Sequence, residues 1–275
     1  MLRPADPRSS PSAGEPITKW PHDAVAAISL TYDDGLPDNL DRAIPDLNSH
    51  GLRGSFYLTV GKSRVRKREE DWRKAFEQGH EIGSHTVQHP CRADAYSRPP
   101  LWLPPSLRLE NWTAEEISRE IDEAADWLDE HIGVDPGRTF AYPCGATAIG
   151  SPPDESLYDA AVRRRHFAAR VGVGGPNDPQ TVNMMRIRSF ICDHPSLADL
   201  IGHCDAALRT GGWTVLMFHS IGGRRMKTKR SIHRKLLEHL QEPRFWVAPL
   251  RDVAAFIARE IDCSEITQSA GRESN

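Results

Sequence analysis

The stretch AVAAISLTYDDG, Ala24 to Gly35, decides the fold: an apolar run of strand length ends abruptly on two carboxylates and a glycine. A glycine there permits the sharp turn a strand end needs to present polar side chains. Working outward, Asp38–Ser49 has helical character, and Ser55–Val60 is rich in aromatic and β-branched residues, so the chain reads strand, helix, strand. Pro45 removes a backbone donor inside that helix, which predicts a kink or two shorter pieces.

The alternation continues with a charged helix over Glu69–Gln78 and a short strand over Glu81–Ser84. Thr113 and Glu116 make a capping box, Ile117, Ile121, Ala124, Leu128 and Ile132 recur at helical spacing, and Gly133 supplies the stop. Further strands are expected at Thr139–Tyr142, Ala168–Val173, Met185–Ile187, Trp213–Phe218 and Phe245–Ala248. A packing helix after Pro195 carries Leu197, Leu200, Ile201, Cys204 and Leu208 on one face and ends at Gly211 and Gly212. Repeated β-α units predict an α/β fold, a single distorted (β/α) barrel of about seven parallel strands with surrounding helices. The barrel is expected over residues 18–261, between polar, aperiodic tails at 1–17 and 262–275 expected to be disordered.

One segment does not fit the alternation. Cys91–Trp112, containing SRPPLWLPPSLRLENW, is too rich in proline for a regular element and too apolar for a solvated loop. Trp102 and Trp112 are candidates to cover part of a groove.

Bulk properties narrow the function. With 35 basic and 38 acidic residues among 275, net charge −3, no global field draws the protein to nucleic acid or to a membrane surface. The basic runs Lys62–Lys74 and Arg224–Lys235 read as solvated helix faces. Met1–Pro16 has no apolar stretch of signal-peptide length, and no segment could span a bilayer, so a soluble cytoplasmic protein is expected. Five cysteines, Cys91, Cys144, Cys192, Cys204 and Cys263, lie far apart with no C-x-x-C pair, which reads as free thiols in a reducing compartment.

The chemistry lies at the predicted strand ends. Asp33 and Asp34 are adjacent, so one carboxylate can bind a cation while the other stays free beside the bound water as a base. SHTVQHP sets His85 and His89 four residues apart, and on one helical turn both imidazoles would share a side. An aspartate with two histidines is a three-ligand set that leaves positions open for water and substrate. In FAYPCG, Pro143 and Gly145 fix a turn whose backbone N–H could face a developing oxyanion, and LMFH brings His219 out of an apolar strand at the same rim.

In order and spacing these segments resemble the polysaccharide deacetylase family, also called the NodB homology domain or carbohydrate esterase family four, over most of Ala24–Arg259. TYDDG resembles the first family motif, which makes Asp33 the catalytic base and Asp34 a metal ligand. SHTVQHP resembles the second, which adds His85 and His89 to the metal. HGLRGSFYL, His50–Leu58, is similar to the family's second strand, and LMFH to its last motif, which makes His219 the general acid. The third motif is usually Arg-x-Pro-Tyr; here Ala141 stands for the arginine and Cys144 for the tyrosine, leaving Tyr142, Pro143 and Cys144 as the oxyanion and substrate turn. In the family that arginine keeps the base ionised. Its absence predicts a raised Asp33 pKa unless Arg170, Arg186 or Arg188 replaces it. No clear fourth motif supplies the aspartate that orients the acid histidine; Asp178 and Asp193 are the candidates.

The resemblance implies a metal-dependent hydrolase that removes N- or O-acetyl groups from a carbohydrate, with zinc as the first choice and cobalt or nickel as substitutes. The alternatives are hydrolysis of a small non-sugar amide or cyclic imide, as in allantoinase-like relatives; a non-haem iron oxygenase, in which Asp33 and His219 would lack roles; and a catalytically silent carbohydrate-binding barrel. Oligomeric state is left open.

Overall fold

The computed structural model describes residues 20–224 and 226–260; the two tails expected to be disordered, and Cys263, lie outside the described residues. Strands in chain order are β1 (Ala26–Tyr32), β2 (Ser55–Leu58), β3 (Glu81–Ser84), β4 (Phe140–Ala141), β5 (Ala169–Val171), β6 (Ile187–Arg188), β7 (Phe190–Ile191), β8 (Trp213–Phe218), β9 (Ser220–Ile221), β10 (Lys227–Thr228) and β11 (Phe245–Val247). Helices are α1 (Ile44–Ser49), α2 (Ser63–Arg66), α3 (Glu69–Glu77), α4 (Ala114–His131), α5 (Glu155–Arg163), α6 (Leu197–Thr210) and α7 (Arg230–His239).

The main sheet runs β6-β5-β4-β3-β2-β1-β8-β7, with β11 added against β1. Its pairings are all parallel. The two ends of the path, β6 and β7, are separated in sequence only by Ser189, so one short stretch pairs β5 on one side and β8 on the other. That shared stretch nearly closes the sheet into the expected distorted barrel. β7, β9 and β10 were not expected: each is two residues long, below the length at which alternation can be read.

Strands buried throughout need cover, and the helices supply it. β1, β2, β3 and β8 have no exposed residue. The capping box at α4 forms as expected: the Glu116 amide donates to Thr113 Oγ1 at 3.3 Å, and the Thr113 amide to Glu116 Oε2 at 2.8 Å. Ile117, Ile121, Ala124 and Leu128 are buried. Pro45 does split its helix, into a π-turn over Asn39–Ala43 followed by α1. Because every main strand runs the same way, all the residues that follow strand C-termini emerge at one rim.

Candidate active site

Asp33 and Asp34 follow β1, His85 follows β3, Tyr142–Cys144 follow β4 and His219 follows β8. Asp34, His85 and His89 converge: their ligand atoms all lie within 4.8 Å of one another, with His85 Nε2 at 3.8 Å and His89 Nε2 at 3.5 Å from Asp34 Oδ1. The Nδ1–H of His85 donates to the Ala141 carbonyl at 2.7 Å, which fixes the tautomer and leaves the Nε2 lone pair facing Asp34. Burial holds both imidazoles neutral, His85 below its ordinary pKa and His89 at about 4, so their nitrogens are free to bind a cation. One carboxylate and two neutral imidazoles suit a divalent cation of the zinc, cobalt or nickel type.

The route to this geometry differs from the expected one. His85–His89 is not a helical turn; the chain doubles back through left-handed backbone at Thr86 (φ 64°) and His89 (φ 68°), with the His89 amide donating to Thr86 Oγ1 at 2.9 Å. Asp34 (φ 73°) and Cys144 (φ 57°) are left-handed as well. Such conformations are costly outside glycine and persist where the surroundings impose them. Four of them gather at this rim. The Asp34 carbonyl is further held by Arg64 Nη2 at 2.9 Å, so one member of a run read as a solvated face helps position a candidate ligand.

Asp33 lies buried beside the cluster and forms an ion pair with Arg170. Burial pushes its pKa up, but Arg170, His85 and His219 outweigh it and hold the carboxyl below its ordinary value. The rise expected from Ala141 does not occur, because β4 and β5 pair with Ala141 opposite Arg170, and the charge missing from one strand is supplied by its neighbour. The sequence did carry a signal: Arg170 is a charge inside the apolar run AARV. Arg186 is spent on Asp159 and Tyr142, and Arg188 on the Gly174 carbonyl.

His219 faces Asp193, with Nδ1 3.5 Å from Oδ1. Burial works against protonation, but Asp193, Asp33 and Asp34 together raise the His219 pKa. Asp178, the other candidate, instead accepts from the Gln180 amide at 2.9 Å in a turn.

The third-motif turn is only partly at the site. The Tyr142 side chain points into a buried cluster with Phe140 and Tyr158 and donates to Asp159 Oδ1 at 2.8 Å; Pro143 is buried. Cys144 is exposed and forms a disulfide with Cys91, two residues after His89. This corrects the reading of free thiols in a reducing compartment: the pairing joins two loops of the rim, while Cys192 and Cys204 are free and buried. Sequence distance concealed it, since the partners are separated by 53 residues. Trp112 also departs from expectation. It packs against the Leu109 and Ile117 cluster and donates to the Ser106 carbonyl, while Trp102 stands beside His89.

A polysaccharide deacetylase family model matches residues 23–158. Just under half of the chain thus carries the polysaccharide deacetylase pattern. Among characterised sequences, it is 27% identical over 174 residues to a gellan lyase from a Bacillus species, covering 63% of this chain and 6% of that protein. It is 34% identical over 65 residues to YxkH of Bacillus subtilis, described as a polysaccharide deacetylase by assignment, covering 22% of this chain and 23% of that one. The chain thus spans well under two thirds of these relatives. A Mycobacterium smegmatis structure provisionally assigned as a polysaccharide deacetylase superposes with TM-score 0.62 at 15% identity, covering 94% of this chain and 96% of that one. PdaA of Bacillus subtilis, a family 4 carbohydrate esterase, gives 0.51 at 16% identity over 82% and 80% of the chains. A family 4 pseudoenzyme from Bacillus anthracis gives 0.51 at 14% identity over 83% and 65%. At these identities the structures establish a shared barrel. The deacetylase family match stops before His219, whose place at the rim follows from the fold.

Proposed function

We propose that this chain is a member of the polysaccharide deacetylase family, a metal-dependent hydrolase that removes acetyl groups from a carbohydrate. The observation that carries the reading is the convergence at one rim of the Asp34, His85 and His89 donors with a buried, ionised Asp33 and with His219, whose protonated form the neighbouring carboxylates favour. Asp34, His85 and His89 would hold the cation, zinc first and cobalt or nickel as alternatives; when bound it supplies a Lewis acid that acidifies water and polarises an acyl oxygen.

Asp33 accepts the proton of the attacking water, a role that Arg170 supports by keeping the carboxylate ionised. The Cys144 amide donates to the oxyanion that develops on the acyl carbon. His219, oriented by Asp193, gives its proton to the departing amine or alkoxide, so that the acetyl group leaves as acetate. An oxygenase built on the same three ligands would leave Asp33 and His219 without roles.

The existence of a pseudoenzyme with this barrel makes turnover the point to test. The test is metal analysis coupled to an acetate-release screen over N-acetylated and O-acetylated glycans and small amides. Stoichiometric metal with acetate released from a glycan supports the reading; release only from a small amide moves it to the allantoinase-like alternative. Tight glycan binding without release leaves a silent binding barrel. No helix among the described residues is long and apolar enough to cross a membrane. The cytoplasmic location expected from the sequence loses its cysteine argument, because a disulfide such as Cys91–Cys144 persists in oxidising compartments.

A further inference from the structure

The proline-rich segment after His89 is anchored on one side and bare on the other. Its base is tied by the Cys91–Cys144 disulfide, by the Cys91 amide donating to the Leu107 carbonyl at 3.0 Å, and by the Leu109 amide donating to the Cys91 carbonyl at 3.0 Å. Arg92 clamps it from outside, bonding Asp94 and the Gly150 carbonyl. Ala93, Leu103 and Leu109 are buried beneath it. Yet Trp102 is 50% exposed and Leu101 fully so, and Tyr96 is exposed beside them, although the same segment buries Ala93, Leu103 and Leu109. Apolar surface left open on an anchored loop marks a place where something docks.

The position of these rings says what docks. Trp102 meets His89 edge-on with ring centroids 6.3 Å apart, and Tyr96 meets Trp102 at 6.2 Å with the planes at 90°. The Tyr96 hydroxyl lies 3.7 Å from Cys144 Sγ, so the pair bridges the candidate metal ligand on one side and the oxyanion turn on the other. A pyranose ring has a C–H face that is apolar and slightly positive, which is complementary to the electron-rich face of an aromatic ring.

We propose that Trp102 and Tyr96 form a sugar-stacking wall on the His89 side of the site, holding the pyranose ring of an acetylated oligosaccharide. This rests on the deacetylase reading and specifies how its substrate is held: stacking places the ring so that its acetyl substituent reaches between Asp33 and His219. A wall open to solvent accepts a polymer running past the rim, whereas a small cyclic amide would gain little from it.

The experiment is calorimetric titration of Asp33→Asn protein, loaded with zinc, with the pentamer of N-acetylglucosamine and with an acetylated xylo-oligosaccharide. Trp102→Ala in that background weakens binding of whichever oligosaccharide binds by about tenfold, while Trp102→Phe stays within about threefold. If Trp102→Ala does not fold, Tyr96→Ala carries the same expectation. Unchanged affinity in the alanine variant, a phenylalanine variant as weak as alanine, or no binding of either oligosaccharide before mutation overturns the wall. Acetate release by the wild type is measured separately. Binding that depends on Trp102 without any release keeps the wall and removes the deacetylase reading.

Discussion

At Asp33, burial and charge pull in opposite directions, and charge wins because Arg170 is buried with it. A base freed of its proton at neutral pH is worth about 10²–10⁴ in rate. Asp33→Asn therefore lowers kcat for acetate release by that order while zinc content, read by elemental analysis, stays at one per chain; undiminished turnover would show that the base lies elsewhere. Arg170→Met tests the partner. Removing the guanidinium takes away the strongest opposition to burial, so the Asp33 pKa rises, the base is protonated at higher pH, and the acid limb of the kcat/KM profile moves toward neutral. The same change strands a buried carboxylate and costs about 3–5 kcal/mol of stability. An acid limb that stays in place would mean that Arg170 does not set the charge state of the base. Ala141 alone could not have revealed this partner: the compensation runs across the sheet, through the β4–β5 register, and no one-dimensional motif records which residues face each other.

The elements that sequence displays best are those whose side chains repeat. β1, β3, β8 and α4 show their apolar runs, the spacing of Ile117, Ile121 and Leu128, and a capping box, and all appear where expected. What could not be read is how loops meet. The left-handed turn at Thr86–His89 looks like a helical spacing, because four residues separate the histidines either way. The disulfide makes the point quantitatively. It closes a loop with a sequence separation of 53, which in the chain-entropy account contributes about 4 kcal/mol. Reduction by a dithiol, or the paired change Cys91→Ser with Cys144→Ser, lowers the urea-unfolding free energy by up to that amount and loosens the turn that carries the Cys144 amide. Equal unfolding midpoints for oxidised and reduced protein would show that the bridge adds nothing to stability.

Across the whole molecule, the barrel stores imidazoles in places where charge is penalised, and this sets its response to acid. His80 and His166 lie away from the candidate ligands, and burial pulls each down to about 3. The His166 Nδ1–H donates to the Arg138 carbonyl at 3.2 Å, while its buried Nε2 has no hydrogen-bond partner. In the unfolded chain both titrate near 6.5. Between those values the unfolded state binds protons that the folded state refuses, so stability is full above about pH 6.5 and falls as the pH drops toward about 3. Each such group contributes a slope of about 1.4 kcal/mol per pH unit in that window. Unfolding free energies measured in urea from pH 7 to 4 should decline with a slope of more than one proton, and His166→Asn should remove about one proton from it whatever its effect at pH 7. A slope unaltered by that change would place the acid sensitivity in the paired carboxylates instead, with Asp33 and its Arg170 partner the first to examine.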